Sequence, residues 1–278
     1  MNARLLFILL LFTIGALWYI IGYWRRKAGE AAFAAARLTE KSEERERYCR
    51  LAVMAGHRKA CRMFCLLHPE RFDGHSPHKP FKLRGIRISF YGYYYPSRYN
   101  ALLNDEQKAF CHSIYQFKQG DIHGIEFFKT CMNALQLKKR PYHIMFMPCS
   151  NWIKYGQRFK RLDWYIGKHR QDLTSGLYDV DICDARESLH EAKGGEKRIL
   201  ERNYLITGNI KGKEIIIIDD VLTTGQSVVD YKEEIERCGG KVVAAIFYGK
   251  TLSMPSMLLV QIHIWGNHIA HIIERMTK

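Results

Sequence analysis

The sequence predicts an α/β fold: a parallel sheet flanked by helices, preceded by an N-terminal transmembrane helix and a helical connector. Three observations predict it. From about residue 82, short apolar runs of strand length alternate with segments of helical spacing, the pattern of a parallel sheet covered on both faces. Near the C-terminus, Ile215-Ile216-Ile217-Ile218 runs straight into Asp219-Asp220, then into Thr223-Thr224-Gly225, and a helical pattern follows. At the other end, residues 5–24 carry no charged side chain. The chain divides accordingly into an anchor (1–28), a helical hairpin with linker (29–81) and a sheet domain (82–278).

The N-terminal run is about long enough to cross a hydrocarbon core. Trp18, Tyr19, Tyr23 and Trp24 gather at its end, where an interfacial aromatic belt belongs. Arg25-Arg26-Lys27 follow, outweighing Arg4 on the other side, so the expectation is a single-pass membrane protein with its C-terminal domain in the cytoplasm. A cleaved secretory signal is the competing reading, kept open by the small residues 31–36 and opposed by the dense charge directly after the apolar run.

Residues 30–67 are rich in Ala, Glu, Arg and Leu, which favour helix. One helix ends near Gly56, and residues 58–67 read as a second. The pair looks like a single tetratricopeptide-like unit with no neighbouring repeat to bury its face. Cys61, Cys65, His68, His75 and His78 lack the paired short spacing of zinc ligands and read as core thiols and loop histidines. Residues 71–80 form the linker.

In the sheet domain, the aromatic stretch 84–95 suggests a β-hairpin turning near Gly92. Residues 104–119 and 123–137 read as helices, and 142–147 as a buried strand ending at Pro148-Cys149-Ser150-Asn151. Residues 155–170 make a basic helix, 178–182 a strand, and 184–202 a polar mobile loop. The signature strand and helix come next, closed by Gly239-Gly240, and then a strand over 241–248. The tail, 257–278, reads as a strand and helix packed on the core. Ligands of such sheets bind at the C-terminal ends of the strands. There the turn after Asp220 presents backbone N–H groups at the positive end of a helix, a phosphate cradle beside a pair of acids. The competing reading is an ordinary strand-turn-helix corner with two solvated acids.

This stretch resembles the signature of the type I phosphoribosyltransferases. Further stretches narrow the resemblance to the ComF family: Lys118-Gln119-Gly120-Asp121, Met147-Pro148-Cys149-Ser150 followed by Arg158-Phe159, and Glu201-Arg202-Asn203 ahead of the signature strand. The resemblance covers roughly residues 82–251, and its most specific part is 219–225. It implies the type I phosphoribosyltransferase fold and binding of phosphoribosyl pyrophosphate or a nucleotide with Mg²⁺. It further implies transfer of the phosphoribosyl group to an acceptor that the sequence does not name. Asp219 and Asp220 would hold the ribose hydroxyls and the metal. Thr223, Thr224, Gly225, Gln226 and Ser227 would hold the 5′-phosphate. Cys149, Ser150 and Asn151 would meet pyrophosphate, and Lys197, Arg198 and Arg202 would belong to a closing loop.

The chain departs from the family in three ways. Its cysteine-rich zinc module is absent. Lys160 follows Arg158-Phe159 where the family has Asn. Thr223 stands where purine-salvage members carry Asp, which argues against purine salvage. The alternative function is a non-catalytic, membrane-tethered ligand-sensing or accessory module linked to DNA uptake.

The net charge of +15 over 278 residues implies attraction to anions: phosphates, nucleic acid or acidic lipid. The basic helix 155–170 interleaves Tyr155, Phe159, Trp164 and Tyr165 with its cations. That suits single-stranded nucleic acid, anionic lipid, or simply a buried aromatic face opposite a solvated basic one. The eight scattered cysteines contain no Cys-x-x-Cys pair and read as reduced thiols.

Overall fold

The structure, a computed structural model, describes residues 3–122, 124–182 and 203–276. In chain order the helices are α1 (Ala3–Leu38), α2 (Ser42–Met54), α3 (Arg58–Leu67), α4 (Pro69–Asp73), α5 (Asp105–Gln119), α6 (Ile125–Leu135), α7 (Trp152–His169), α8 (Gln226–Arg237) and α9 (Met257–Met276). The strands are β1 (Phe81–Leu83), β2 (Ile86–Tyr94), β3 (Tyr142–Phe146), β4 (Leu173–Ser175), β5 (Val180–Ile182), β6 (Tyr204–Ile206), β7 (Glu214–Leu222) and β8 (Lys241–Thr251). They form two compact units. One joins Met1–Gly74 to Ser253–Lys278; the other is His75–Leu252.

The first unit is helical. Gly29, Phe33 and Ala36 bury one stripe of α1, and Gly29 lets α1 approach α2 closely, since a Cβ there would lie 3.0 Å from Ala55 Cβ. The chain turns at Gly56, whose φ of +90° suits glycine. His57 Nδ1 then accepts from Ala60 N at 3.1 Å and caps α3. The tail is a single helix, α9, packed on α2 and α3, not the strand and helix expected over the sheet.

Among the described residues, no helix is long and apolar enough to cross a membrane. That overturns the expected single-pass anchor, the cytoplasm-facing assignment built on it, and the membrane as a partner. The uncharged run forms the N-terminal part of α1 and is not a separate helix. α1 then continues unbroken through Arg25, Arg26 and Lys27 to Leu38. Arg25 itself donates to Met54 O at 2.9 Å.

The second unit is the predicted α/β fold. Its main sheet runs β1-β2-β8-β7-β3-β4, parallel throughout except for the antiparallel edge strand β1, with β5–β6 as a separate antiparallel pair. The central strands are continuous apolar runs because both faces are covered: all of β3 and Ile215 to Ile218 of β7 are buried. An aromatic cluster holds helices to the sheet. Phe127 stacks on Tyr248 at 4.6 Å, and Phe117 lies 6.0 Å from Phe159. Asn104 and Gln107 form a reciprocal capping box that starts α5.

One local expectation changes, two short strands were not foreseen, and one expectation falls outside the described residues. The hairpin turns at Arg84-Gly85, both at positive φ, and not at Gly92. Gly92 lies mid-strand because a Cβ there would sit 2.5 Å from the Phe110 ring. The short strands β4 and β6 carry too few residues to show a period. Finally, the expected mobile loop 184–202 lies outside the described residues.

Since Ile217 is fully buried in the central strand, Ile217→Ala should destabilise the protein by about 2–5 kcal/mol. Thr223→Ala, at an exposed position, should change stability by less than about 0.5 kcal/mol. Chemical denaturation of both variants checks this. Equal midpoints would contradict the central placement of β7.

Candidate functional site

β3 and β7 are parallel neighbours, paired from His143↔Ile215 to Phe146↔Ile218. The loops that follow them therefore emerge side by side at one edge of the sheet. Met147 N donates to Ile218 O at 2.9 Å and carries the pairing up to that edge. The 149–151 and 219–227 segments predicted as site residues are thus adjacent.

β7 ends in the acid pair. Asp220 is 6% exposed, and its backbone N–H donates to Asp219 Oδ1 at 2.7 Å. Two cations from other helices meet these acids. Arg158, on α7, places Nη1 2.7 Å from Asp220 Oδ2 and 3.8 Å from Asp219 Oδ1. Lys118, at the end of α5, places Nζ 3.5 Å from Asp220 Oδ2. Burial, and then the like charge of Asp220, push the Asp219 carboxyl up to about 7, despite the opposing pull of Arg158. Burial works against the Arg158 charge, but the negative charges around it, led by Asp220, outweigh burial and hold its pKa above the ordinary value.

The turn after β7 is built around Gly225. Its φ is +78°, and a Cβ would lie 2.3 Å from Leu83 Cδ2, so the position needs glycine both for conformation and for space. Gly225 has no side chain to cap α8; Gln226 N donates to Thr224 Oγ1 at 3.4 Å, and the other first-turn N–H groups are left for another acceptor. Thr223, Thr224, Gln226 and Ser227 are exposed around it. Gln226 is held from both sides: Arg84 Nη1 donates to its Oε1 at 2.7 Å, and its Nε2 donates to Asp230 Oδ1 at 2.6 Å.

In the β3 loop, Cys149 is buried, and burial pushes its thiol up to about 12. It is a packed, protonated thiol, not a nucleophile. Ser150 is half-buried. Asn151 caps α7 by accepting from Lys154 N at 2.9 Å. Asn203 Nδ2 reaches across from the start of β6 to donate to Cys149 O at 3.2 Å. Lys197, Arg198 and Arg202 lie outside the described residues.

The residues that sequence reasoning did not place in the site are Lys118 and Arg158. Both fall in stretches that carried the family resemblance, and that was the available signal. Spacing along the chain could not show that two helices would deliver them to the same carboxylate.

Acid pair, glycine turn and uncapped helix stand together at one sheet edge. Residues 171–251 match the phosphoribosyl transferase domain family. The match takes in β7, the turn, α8 and β8. Two curated relatives are similar over part of this region. One is the orotate phosphoribosyltransferase of Sulfolobus acidocaldarius, 42% identical over 57 residues, which is 20% of this chain and 26% of the relative. The other is the transcriptional regulator GfcR 1 of Methanosarcina barkeri, 30% identical over 63 residues, which is 23% of this chain and 29% of the relative. The similarity spans between a quarter and a third of these relatives' length. The parallel sheet flanked by helices fits the type I phosphoribosyltransferase fold.

The raised Asp219 pKa has a definite consequence for stability. The folded protein holds that proton more tightly than the unfolded chain does. Stability from this group is therefore greatest below the ordinary carboxylate value of 3.8 and falls as pH rises toward about 7. Asp219→Asn should remove that fall, so the variant gains stability relative to wild type between pH 4 and 7. Thermal melts across that range test it; a constant difference between the two proteins would contradict the assignment.

Proposed function

We propose that this is a phosphoribosyltransferase of type I fold. It binds phosphoribosyl pyrophosphate or a nucleotide with Mg²⁺ and transfers the phosphoribosyl group to an acceptor. The observation that carries this reading is the Asp219-Asp220 pair placed directly before a glycine turn that opens an uncapped helix. In the reaction, the acceptor's lone pair forms a bond to the anomeric carbon of the ribose. The carbon–oxygen bond to pyrophosphate breaks, and its electron pair leaves on pyrophosphate. The acceptor's proton passes to water.

Asp219 and Asp220 orient the ribose through its hydroxyls. Backbone N–H groups of 224–227, with the Thr223, Thr224 and Ser227 hydroxyls, hold the 5′-phosphate at the positive end of α8. Cys149 to Asn151 present backbone groups to pyrophosphate, and Lys197, Arg198 and Arg202 supply cations. A donor set of two carboxylates suits Mg²⁺, which keeps several waters and takes further ligands from phosphate and hydroxyl oxygens. Bound there, Mg²⁺ would neutralise charge developing on the leaving pyrophosphate. Arg158 and Lys118 keep two buried acids tolerable before ligand binds. The finer placement, within the ComF-type members, rests on the stretches 118–121, 147–150, 158–159 and 201–203.

A second reading is a non-catalytic ligand-sensing or accessory module linked to DNA uptake. Two observations favour it: one relative is described as a transcriptional regulator, and the outer face of α7 is basic. There Lys154, Lys160, Arg161 and Lys168 are exposed beside Trp164, with Lys168 Nζ 4.8 Å from the Trp164 ring. Tyr155 and Phe159 are buried on the opposite face and Tyr165 is half-buried and stacked on His169, so Trp164 is the most exposed of the four aromatics interleaved with cations in the sequence.

Calorimetric titration with phosphoribosyl pyrophosphate and Mg²⁺, followed by a pyrophosphate-release assay over candidate acceptors, separates the readings. Release supports the transferase; binding without release supports the sensor. The double variant Asp219→Ala with Asp220→Ala should lose Mg²⁺-dependent binding by at least about tenfold while still melting cooperatively. Unchanged affinity would remove the main support for either reading. Gly225→Val should lose phosphate binding more completely than Thr223→Ala, with a melting curve to separate site damage from unfolding.

A further inference from the structure

We propose that the cavity between α1, the α2–α3 turn and the start of α9 is an anion site, and that it takes a soluble ligand bearing phosphate groups, of the pyrophosphate class. The acid pair plays no part in it: every lining residue belongs to the helical unit of Met1–Gly74 and Ser253–Lys278. The cavity has a volume of about 460 Å³. That is many times the ~30 Å³ share of one water, and ample for a diphosphate.

One face of α1 forms its longest wall. Gly22, Arg25, Arg26, Gly29 and Glu30 recur at three- and four-residue spacing, which puts them on one side of the helix. Arg58, the first residue of α3, lines the cavity from the turn. Three guanidinium groups thus surround one concavity against a single carboxylate, Glu30, and Lys27 already meets that carboxylate at 3.2 Å. Among the described residues, no acid meets Arg26 or Arg58, and both are exposed. Like charges gathered around one concavity repel one another, and an anion between them relieves that repulsion. Guanidinium forks pair with phosphate oxygens through parallel hydrogen bonds, and a diphosphate presents enough oxygens for all three. The lining holds no Phe, Tyr or Trp, so the phosphate groups and not an attached ring are what it recognises.

The walls are fixed without a ligand. Arg25 donates to Met54 O, and Gln261 Nε2 donates to Val53 O at 2.8 Å, which ties α1 and α9 to the last turn of α2. His57 N donates to Ala52 O at 2.9 Å and holds the turn. A ligand is therefore spared the cost of ordering its cations. Arg58 and Met257 are the first residues of α3 and α9, so two positive helix ends add to the guanidinium field. Packing does not explain Gly22. It sits inside α1, where glycine costs helix stability, and a Cβ there would meet nothing within 4 Å. Its missing side chain leaves the cavity open beside Arg25 and Arg26.

The test follows the Met257 methyl resonance in the full chain, labelled at its methionine methyl groups and assigned by Met257→Leu, as pyrophosphate is added without Mg²⁺. Met257 lines the cavity, so its methyl group reads this cavity directly. The expected result is a saturable shift, with inorganic phosphate binding about tenfold more weakly. Arg26→Gln together with Arg58→Gln should weaken pyrophosphate at least about tenfold, and Gly22→Leu, which fills the cavity, should do the same. Glu30→Gln should tighten it, a result that a purely structural role for these residues would not give. Positions 22, 26, 30 and 58 are exposed, so melting curves of the variants should stay cooperative. Asp219→Ala with Asp220→Ala should leave pyrophosphate affinity at Met257 within about twofold. No saturation by about 10 mM pyrophosphate overturns the site. So does a shift that survives both the arginine pair and Gly22→Leu. Phosphate binding as tightly as pyrophosphate overturns the diphosphate assignment. A shift lost in the acid-pair variant and kept in the others assigns the pyrophosphate to that pair and overturns the cavity.

Discussion

Two carboxylates at the end of a strand whose previous four residues are isoleucines impose an electrostatic cost that the surrounding structure has to offset. Asp220 is almost wholly buried and Asp219 half-buried, so both lose much of the solvation a carboxylate has in water. Arg158 and Lys118 approach them at 2.7 and 3.5 Å, and these contacts fix more than charge. Arg158 sets the position of α7 over the sheet, and Lys118 sets the end of α5. Removing one partner of a buried pair typically costs about 3–5 kcal/mol, because it strands the other charge. The helices thus hold the acids, and the acids hold the helices. Such a cost at a strand end is more readily understood if the acids serve a ligand than if they serve stability, since well-packed apolar residues would stabilise as well or better.

The parallel sheet turns this local constraint into a site. Because β3 and β7 are neighbours running the same way, the loop with Cys149 must emerge beside the acid pair without any side chain dictating it. α8 begins immediately after the turn, so its N–H groups point at the same space. Gly225 is the hinge of that arrangement: the space a side chain would take is filled by Leu83 from β1. The antiparallel edge strand therefore contributes to the turn by packing against it.

Much of this was legible along the chain. Four isoleucines ending in two acids can scarcely be other than a buried strand reaching an edge, and Thr-Thr-Gly before an amphipathic run marks a helix start. The buried face of α7 follows from Tyr155, Phe159, Leu162 and Ile166 at helical spacing. What was not legible is what depends on distance across the fold. The hairpin was misplaced because Gly92 looks like a turn glycine in sequence, when in space it makes room for Phe110. The long uncharged N-terminal run read as a span, yet α1 passes through its cations without a break and packs on a neighbouring helix instead. Lys118 and Arg158 lie on two separate helices, and only the sheet brings both to Asp220.

The segment between β5 and β6 is tied to the same edge at its bases. Before it, Asp179 accepts a hydrogen bond from buried His143 at 2.6 Å, and His143 in turn meets Thr174 Oγ1 at 2.7 Å. Thr207 N and Gly208 N both donate to Asp179 O. Gly208 packs so tightly on the Asp179 side chain that a Cβ there would lie 2.2 Å from it. After the segment, Asn203 donates to Cys149 O in the β3 loop. The two ends are thus pinned, one to the strand beneath the β3 loop and one to the loop itself. The Cys149 carbonyl and Asn203 are linked by one buried hydrogen bond. That bond joins the β3 loop to the start of β6 at this edge of the sheet.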